Sequence, residues 1–325
     1  MKKACKFLFI LSLLLVSYFQ SYCWGFWAHQ KINYYAVFLL PPEMMVLYKP
    51  NISFITEHAV DPDKRRYAVA DEGPRHYIDI DHYGPYPYTA LPHKWDDAIA
   101  KFSKDTIVAN GIVPWHVQIM LNRLTAAFKE KNFSKIMKNS AELGHYIADA
   151  HVPLHASQNH DGQLTNQKGI HAFWESRVPE LLADKQFDFF IGKAEYIKKP
   201  GDFIWDRVLE SGREADSVLA IEKQLTSDYS DDQKYSFEQR NGKVIKQYSS
   251  AFTIEFNKRL GGMVERRMRQ TIFAIASFWY TAWVNAGQPD LKPLANQKFT
   301  EADAKEFEQL NAKWNSAGKI IGREE

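Results

Sequence analysis

Apolar residues recur at three- and four-residue spacing in Gln30–Leu40, Val117–Lys129, Phe133–Val152, His171–Ala183, Phe203–Gln224 and Met263–Ala286. That period lines one face of an α-helix, so each of these stretches is expected to be helical. Two stretches break the pattern. Within Asp81–Pro92, the run Tyr83-Gly84-Pro85-Tyr86-Pro87-Tyr88 is too rich in Pro and Gly for regular helix and predicts an ordered loop. Tyr235–Tyr248 alternates weakly around Asn241-Gly242, a dipeptide suited to a tight turn, and predicts one small β-hairpin. From Leu291 the chain turns polar, and the residues after Trp314 are expected to be loose. There is no internal repeat, low-complexity tract or linker. The expected architecture is all-α: a single multi-helix domain over 24–290 and a polar C-terminal extension over 291–325.

The first residues follow a different logic. Lys2, Lys3 and Lys6 precede an apolar run, Phe7–Val16, broken only by Ser12, and Ser21-Tyr22-Cys23 ends the stretch. A charged start, an apolar run too short to span a bilayer and small residues before the cut make residues 1–23 an expected signal peptide. Cleavage after Cys23 leaves Trp24 first and a secreted or periplasmic protein. The alternative, a lipoprotein that keeps and acylates Cys23, is disfavoured by the bulk of Gln20-Ser21-Tyr22.

Cleavage changes the chemistry available. It leaves 302 of the 325 residues, and the 41 basic and 39 acidic residues become 38 and 39, a formal charge of −1. Both cysteines, Cys5 and Cys23, fall in the signal. An exported chain without cysteine must be cross-linked by packing or by metal. With 45% hydrophobic, 25% charged and 14% aromatic residues, the chain is not collagen-like, a disulfide scaffold or wholly disordered. Its near-zero charge argues against nucleic acid as an obligate partner, and no obligate protein partner is evident. Thr271–Ala286 is apolar but short and flanked by Arg266, Arg267 and Arg269, so it predicts a buried helix rather than a transmembrane anchor.

The histidines carry the chemistry. On a helix, His145 and Asp149 lie one turn apart on the same face, where an imidazole and a carboxylate can meet one cation. Pro153 bends the chain and can return His155 to the same pocket. His171 and Glu175 form a second i,i+4 pair, and the turn formers Asn159-His160-Asp161-Gly162 and Gly169 let the chain reverse between the pairs. One such pair is commonplace as a surface hydrogen bond. Two pairs with an intervening Pro-Leu-His argue for a multinuclear metal site, because carboxylates can bridge ions. His58, His82, His93, His116, His151 and His160 are expected to be solvated or hydrogen-bonded.

The block His145-x3-Asp149-x5-His155, followed by His171-x3-Glu175, resembles the zinc-dependent phospholipase C and single-strand nuclease superfamily. Trp24 with His29 five residues on, and Asp61 with His76 fifteen residues on, extend the likeness over 24 to about 180. The resemblance implies an all-α fold holding three Zn2+ ions. Asp61, His76, His145 and Asp149 would bind one; the Trp24 α-amine, His29 and the bridging Asp149 a second; His155, His171 and Glu175 the third. It implies an enzyme that hydrolyses phosphate esters with zinc-activated water, with Asp61 orienting that water or acting as base. The nuclease branch carries an Arg three residues after this Asp; here that position is Lys64, with Arg65 next, and either could neutralise phosphate. Tyr77, Phe26 and Trp174 could stack on a base, cage a choline-type ammonium or pack the core.

Substrate clues divide. The Trp24–His29 spacing is similar to the nucleases. Glu175 in place of Asp, the absent cysteines and the compact 155–171 segment are similar to bacterial phospholipase C. The expected partner is therefore a phospholipid headgroup, with single-stranded nucleic acid or a 3′-nucleotide as the alternative. A non-enzymatic protein with structural zinc is a third reading, disfavoured because structural sites are usually closed by four protein ligands.

Overall fold

The computed structural model describes residues 25–240, 242–317, 319–321 and 323. The expected signal peptide and Trp24 lie outside the described residues. The six expected helices are Phe26–Val37, Val113–Lys129, Phe133–Asp149, Ile170–Gln186 in three continuous pieces, Pro200–Thr226 and Met263–Asn285. The fold is mostly α. Short helices not foreseen from the pattern occupy Pro42–Tyr48, Ile52–Glu57, Trp95–Phe102 and Lys104–Ala109, where one or two turns are too brief to reveal a period.

Helix Met263–Asn285 is the axis of the core. It packs against helices Phe26–Val37, Val113–Lys129 and Phe133–Asp149. Met268, Ile272, Ile275, Phe278 and Trp279 are buried along it, each stabilising the fold by roughly 1.5–3 kcal/mol relative to exposure. Trp279 satisfies its indole N–H on the Ser140 carbonyl at 3.0 Å, and Tyr48 shares a hydrogen bond with the Ser140 hydroxyl at 2.7 Å. Thr271–Ala286 is thus core, and no helix among the described residues is long and apolar enough to cross a membrane.

Local signals set the element ends that matter. Asn132 caps helix Phe133–Asp149 by accepting from the Lys135 N–H at 3.0 Å. At its other end Val152 is extended, as a residue before proline prefers, and Pro153–Ala156 forms a single 3-10 turn. The hairpin pairs Tyr235–Arg240 with Lys243–Tyr248 in antiparallel register around the expected turn. Asp81–Pro92 is irregular apart from a 3-10 turn over Ile80–Tyr83.

The C-terminal extension departs from expectation. Glu301–Ser316 is a helix capped by Thr300, whose hydroxyl accepts from the Asp303 N–H at 3.2 Å. Beyond it the chain is docked rather than loose: the Ile321 N–H donates to the Arg66 carbonyl at 2.8 Å. Polar composition signals exposure, and this helix has no buried residue, yet exposure did not prevent ordered contacts.

Candidate metal centre

Helix Phe133–Asp149 brings His145 and Asp149 onto one face, fully buried. Gly144 makes this possible, because a Cβ there would lie 2.1 Å from Asn33 Oδ1 on helix Phe26–Val37. The close approach stacks the His29 ring on the His145 ring at 4.0 Å. The bend at Pro153 returns His155, whose Nδ1 lies 2.6 Å from the His76 carbonyl oxygen.

Three groups of donor atoms result, each fit in size to hold a metal ion: Asp63, His76 and His145; His29, His145 and Asp149; and His155, His171 and Glu175. In the first, His76 Nδ1 lies 3.1 Å from His145 Nε2 and 3.7 Å from Asp63 Oδ1, and His145 Nε2 lies 3.6 Å from Asp63 Oδ1. Asp149 Oδ2 joins this set at 3.0 Å from His76 Nδ1 and 3.2 Å from His145 Nε2. Ligands at ~2.0–2.1 Å around a tetrahedral zinc sit roughly 3.3 Å apart, the scale of these separations. Asp149 Oδ1 faces the other way, 3.5 Å from His29 Nε2, so one carboxylate serves two groups. In the third group Glu175 Oε2 is 3.0 Å from His171 Nε2 and 3.6 Å from His155 Nε2. Glu175 lies in a π-helical turn, Phe173–Arg177, a widening often found at functional sites.

The donor chemistry fits a cation. Both oxygens of Asp63 and both of Asp149 are buried, and none accepts a well-formed hydrogen bond among the described residues. A buried carboxylate without donors is costly unless a positive charge meets it. The imidazoles are oriented from behind. His145 Nδ1 faces the Ala59 carbonyl at 2.8 Å and His171 Nδ1 the His160 carbonyl at 3.2 Å, which turns each Nε2 inward as a lone-pair donor. Burial and the His145 ring hold the His29 pKa well below its ordinary value, keeping it neutral. Burial would lower the His76 pKa too, but Asp149 and Glu72 outweigh it and raise it to about 9, so in the absence of metal His76 carries a proton that a bound cation must displace.

Several supporting residues were not anticipated. Glu72, buried and 3.6 Å from His76 Nε2, accepts from Arg75 at 2.7 Å, from Arg65 at 3.3 Å and from the Tyr146 hydroxyl. Asp161 accepts the Gly169 N–H at 2.8 Å and so fixes the start of the turn bearing His171. Glu72 stands at i,i+4 to His76, a spacing the sequence does carry, and Asp161 is marked there only as a turn former.

Asp61 is not brought into the cluster. Its carboxylate accepts from His58 Nδ1 at 2.5 Å and from Lys64 Nζ at 3.0 Å, and Asp63 stands where Asp61 was expected. Two residues along a helix turn a side chain by about 200°, so Asp61 and Asp63 face opposite sides. Lys64 is thereby held on Asp61. Arg65 is engaged by Glu72 at 3.3 Å, by Glu142 at 2.7 Å and by the Tyr146 hydroxyl at 3.2 Å. The Tyr77 hydroxyl donates to the Ala109 carbonyl at 3.2 Å. Trp174 is buried core and Phe26 packs on Trp314. Buried His151 is hydrogen-bonded as expected, its Nδ1 meeting the Ile147 carbonyl at 2.7 Å, and exposed His93 stacks on Trp205. Trp24 lies outside the described residues. A scan against family models and a search of curated proteins each find no match to the chain.

Proposed function

We propose that the protein is a zinc-dependent phosphodiester hydrolase, of the phospholipase C type. The observation that carries this reading is the set of three buried donor groups, of which the first two share His145, whose single inward lone pair serves one ion, while the two oxygens of Asp149 reach both. Structural zinc sites are closed by four ligands, whereas the His155, His171 and Glu175 group offers three and leaves room for water and substrate. Bound zinc supplies a Lewis acid and lowers the pKa of water from 15.7 toward about 7.

This chain's residues do the rest. Asp63 and Asp149 supply the negative charge that selects a divalent cation. The backbone carbonyls of Ala59, His76 and His160 hold the imidazoles of His145, His155 and His171 in ligating orientation. Asp63 takes over the water-orienting role first expected of Asp61. The compact 155–171 segment and Glu175 favour a lipid phosphodiester.

A second reading, a single-strand nuclease or 3′-nucleotidase, is favoured by one specific residue. With Asp63 as ligand, the position three residues on is Arg66, whose planar guanidinium suits bidentate phosphate binding better than Lys64. The test is the ratio of chelator-sensitive initial rates on dispersed phosphatidylcholine and on single-stranded DNA, using protein that begins at Trp24. A ratio favouring lipid is expected. One favouring DNA would replace the phospholipase reading with the nuclease, and no chelator-sensitive hydrolysis of either would remove both.

A further inference from the structure

We infer that the described C-terminal residues, 301–317, 319–321 and 323, form an autoinhibitory strap across the mouth of the metal centre, with Arg323 as its latch; this rests on the hydrolase reading above. The Arg323 guanidinium pairs with the Asp79 carboxylate, donates to the Ser157 carbonyl at 3.3 Å and lies 4.0 Å from the centre of the Tyr77 ring. Its own carbonyl accepts from Arg66 Nη2 at 2.6 Å. Upstream, Trp314 packs on Phe26 at 5.5 Å and beneath the Lys64 ammonium at 5.8 Å.

These contacts converge on the ligands. Phe26 is three residues before His29, Tyr77 follows His76, and Ser157 is two residues after His155, whereas Lys64 is held on Asp61, on the side away from Asp63. The strap therefore touches the flanks of ligands from all three donor groups. At Arg66, the cation nearest in sequence to Asp63 that is not turned to Asp61 or Glu72, a backbone carbonyl oxygen holds the position that a substrate phosphate oxygen would take.

The anchoring suits a part that leaves without unfolding the rest. Helix Glu301–Ser316 buries no residue. It is held by Lys138, which pairs with Asp303 at 2.7 Å and Glu306 at 2.8 Å, and by Phe307 against His58 and Phe54. Between this helix and the body lies a cavity of about 190 Å³, lined in part by His58, Asp61, Arg65, Glu142 and Leu310. Partly exposed ion pairs and a few rings over a gap mark a segment of low local stability.

The test uses zinc-loaded protein beginning at Trp24, with Arg323→Ala in the full chain and a second variant ending at Gln297. Losing charge-assisted bonds should shift the closed–open balance by about tenfold. Turnover of bis(4-nitrophenyl) phosphate and the rate of zinc stripping by a chelator should both rise by that factor in Arg323→Ala, and at least as much in the shortened chain. Unchanged rates with zinc bound would overturn the strap. A fall in turnover would overturn it as well, because Arg323 would then be a substrate contact. If zinc-loaded wild type hydrolyses nothing, the hydrolase reading fails and the stripping rate alone decides the strap. If no zinc binds, amide exchange over 155–158 decides: faster exchange in Arg323→Ala supports the strap, and equal exchange overturns it.

Discussion

Asp63 Oδ1 lies 3.7 Å from His76 Nδ1, while Asp61, on the same turn, points to His58 and Lys64. The two carboxylates therefore have separable effects. Asp63→Asn should reduce zinc content by one ion per chain and lower turnover by at least about a hundredfold, the scale of losing a metal-site ligand or its supporting partner. Asp61→Asn should keep the zinc content and cost about 1–3 kcal/mol of stability through its two broken charge-assisted bonds. Metal analysis of both variants beside denaturant unfolding checks the pair.

That distinction also marks the limit of the sequence. The His145–Asp149 and His171–Glu175 pairs were legible because a helix fixes which i,i+4 residues share a face. Asp61 and Asp63 sit in a five-residue helix whose orientation depends on what packs around it, so the fifteen-residue spacing to His76 chose the wrong carboxylate. The long helices were legible from their period, and the hairpin from Asn241-Gly242. Arg323 was not, since it acts through Asp79 and Ser157, distant in sequence; Glu72 lies at i,i+4 to His76, but in a 3-10 and turn region with no helical period to show that the two face each other.

Glu72 faces the outer nitrogen of His76, so Glu72→Gln should leave the number of bound ions unchanged but weaken zinc affinity by about 10–100-fold. Competition with a zinc-sensitive dye measures this. Equal affinity would mean that Glu72 serves only the Arg65, Arg75 and Tyr146 network.

Gly144 lets two helices meet at the centre. Gly144→Ala should drive a methyl into Asn33, which donates to the Ile55 carbonyl at 3.2 Å and the Ala141 carbonyl at 3.1 Å. Overpacking of this kind costs about 1–3 kcal/mol. Because His29 shares the displaced helix, zinc affinity should fall with stability, a pairing that thermal melts with and without zinc would register.

Docking of the C-terminal helix should depend on acid. Burial would raise the Asp303 pKa, but Lys138, Ser134 and Thr300 outweigh it and hold the carboxyl well below its ordinary value. A lowered native pKa means a stabilising contribution present above the unfolded value of about 3.9 and lost as pH falls below it. Wild type should therefore resist proteolysis of segment 301–323 better than Asp303→Asn at neutral pH, with the difference shrinking below about pH 4. A difference independent of pH would remove the ion pair as its cause.

The proposed centre is metal-dependent and hydrolytic, built from three donor groups. The most direct test is zinc per chain, measured on protein beginning at Trp24, together with turnover of bis(4-nitrophenyl) phosphate before and after exhaustive chelation. Three ions per chain are predicted, with turnover lost on chelation and restored by zinc. Full turnover after the metal is gone, or no zinc retained by a folded chain, would contradict the account.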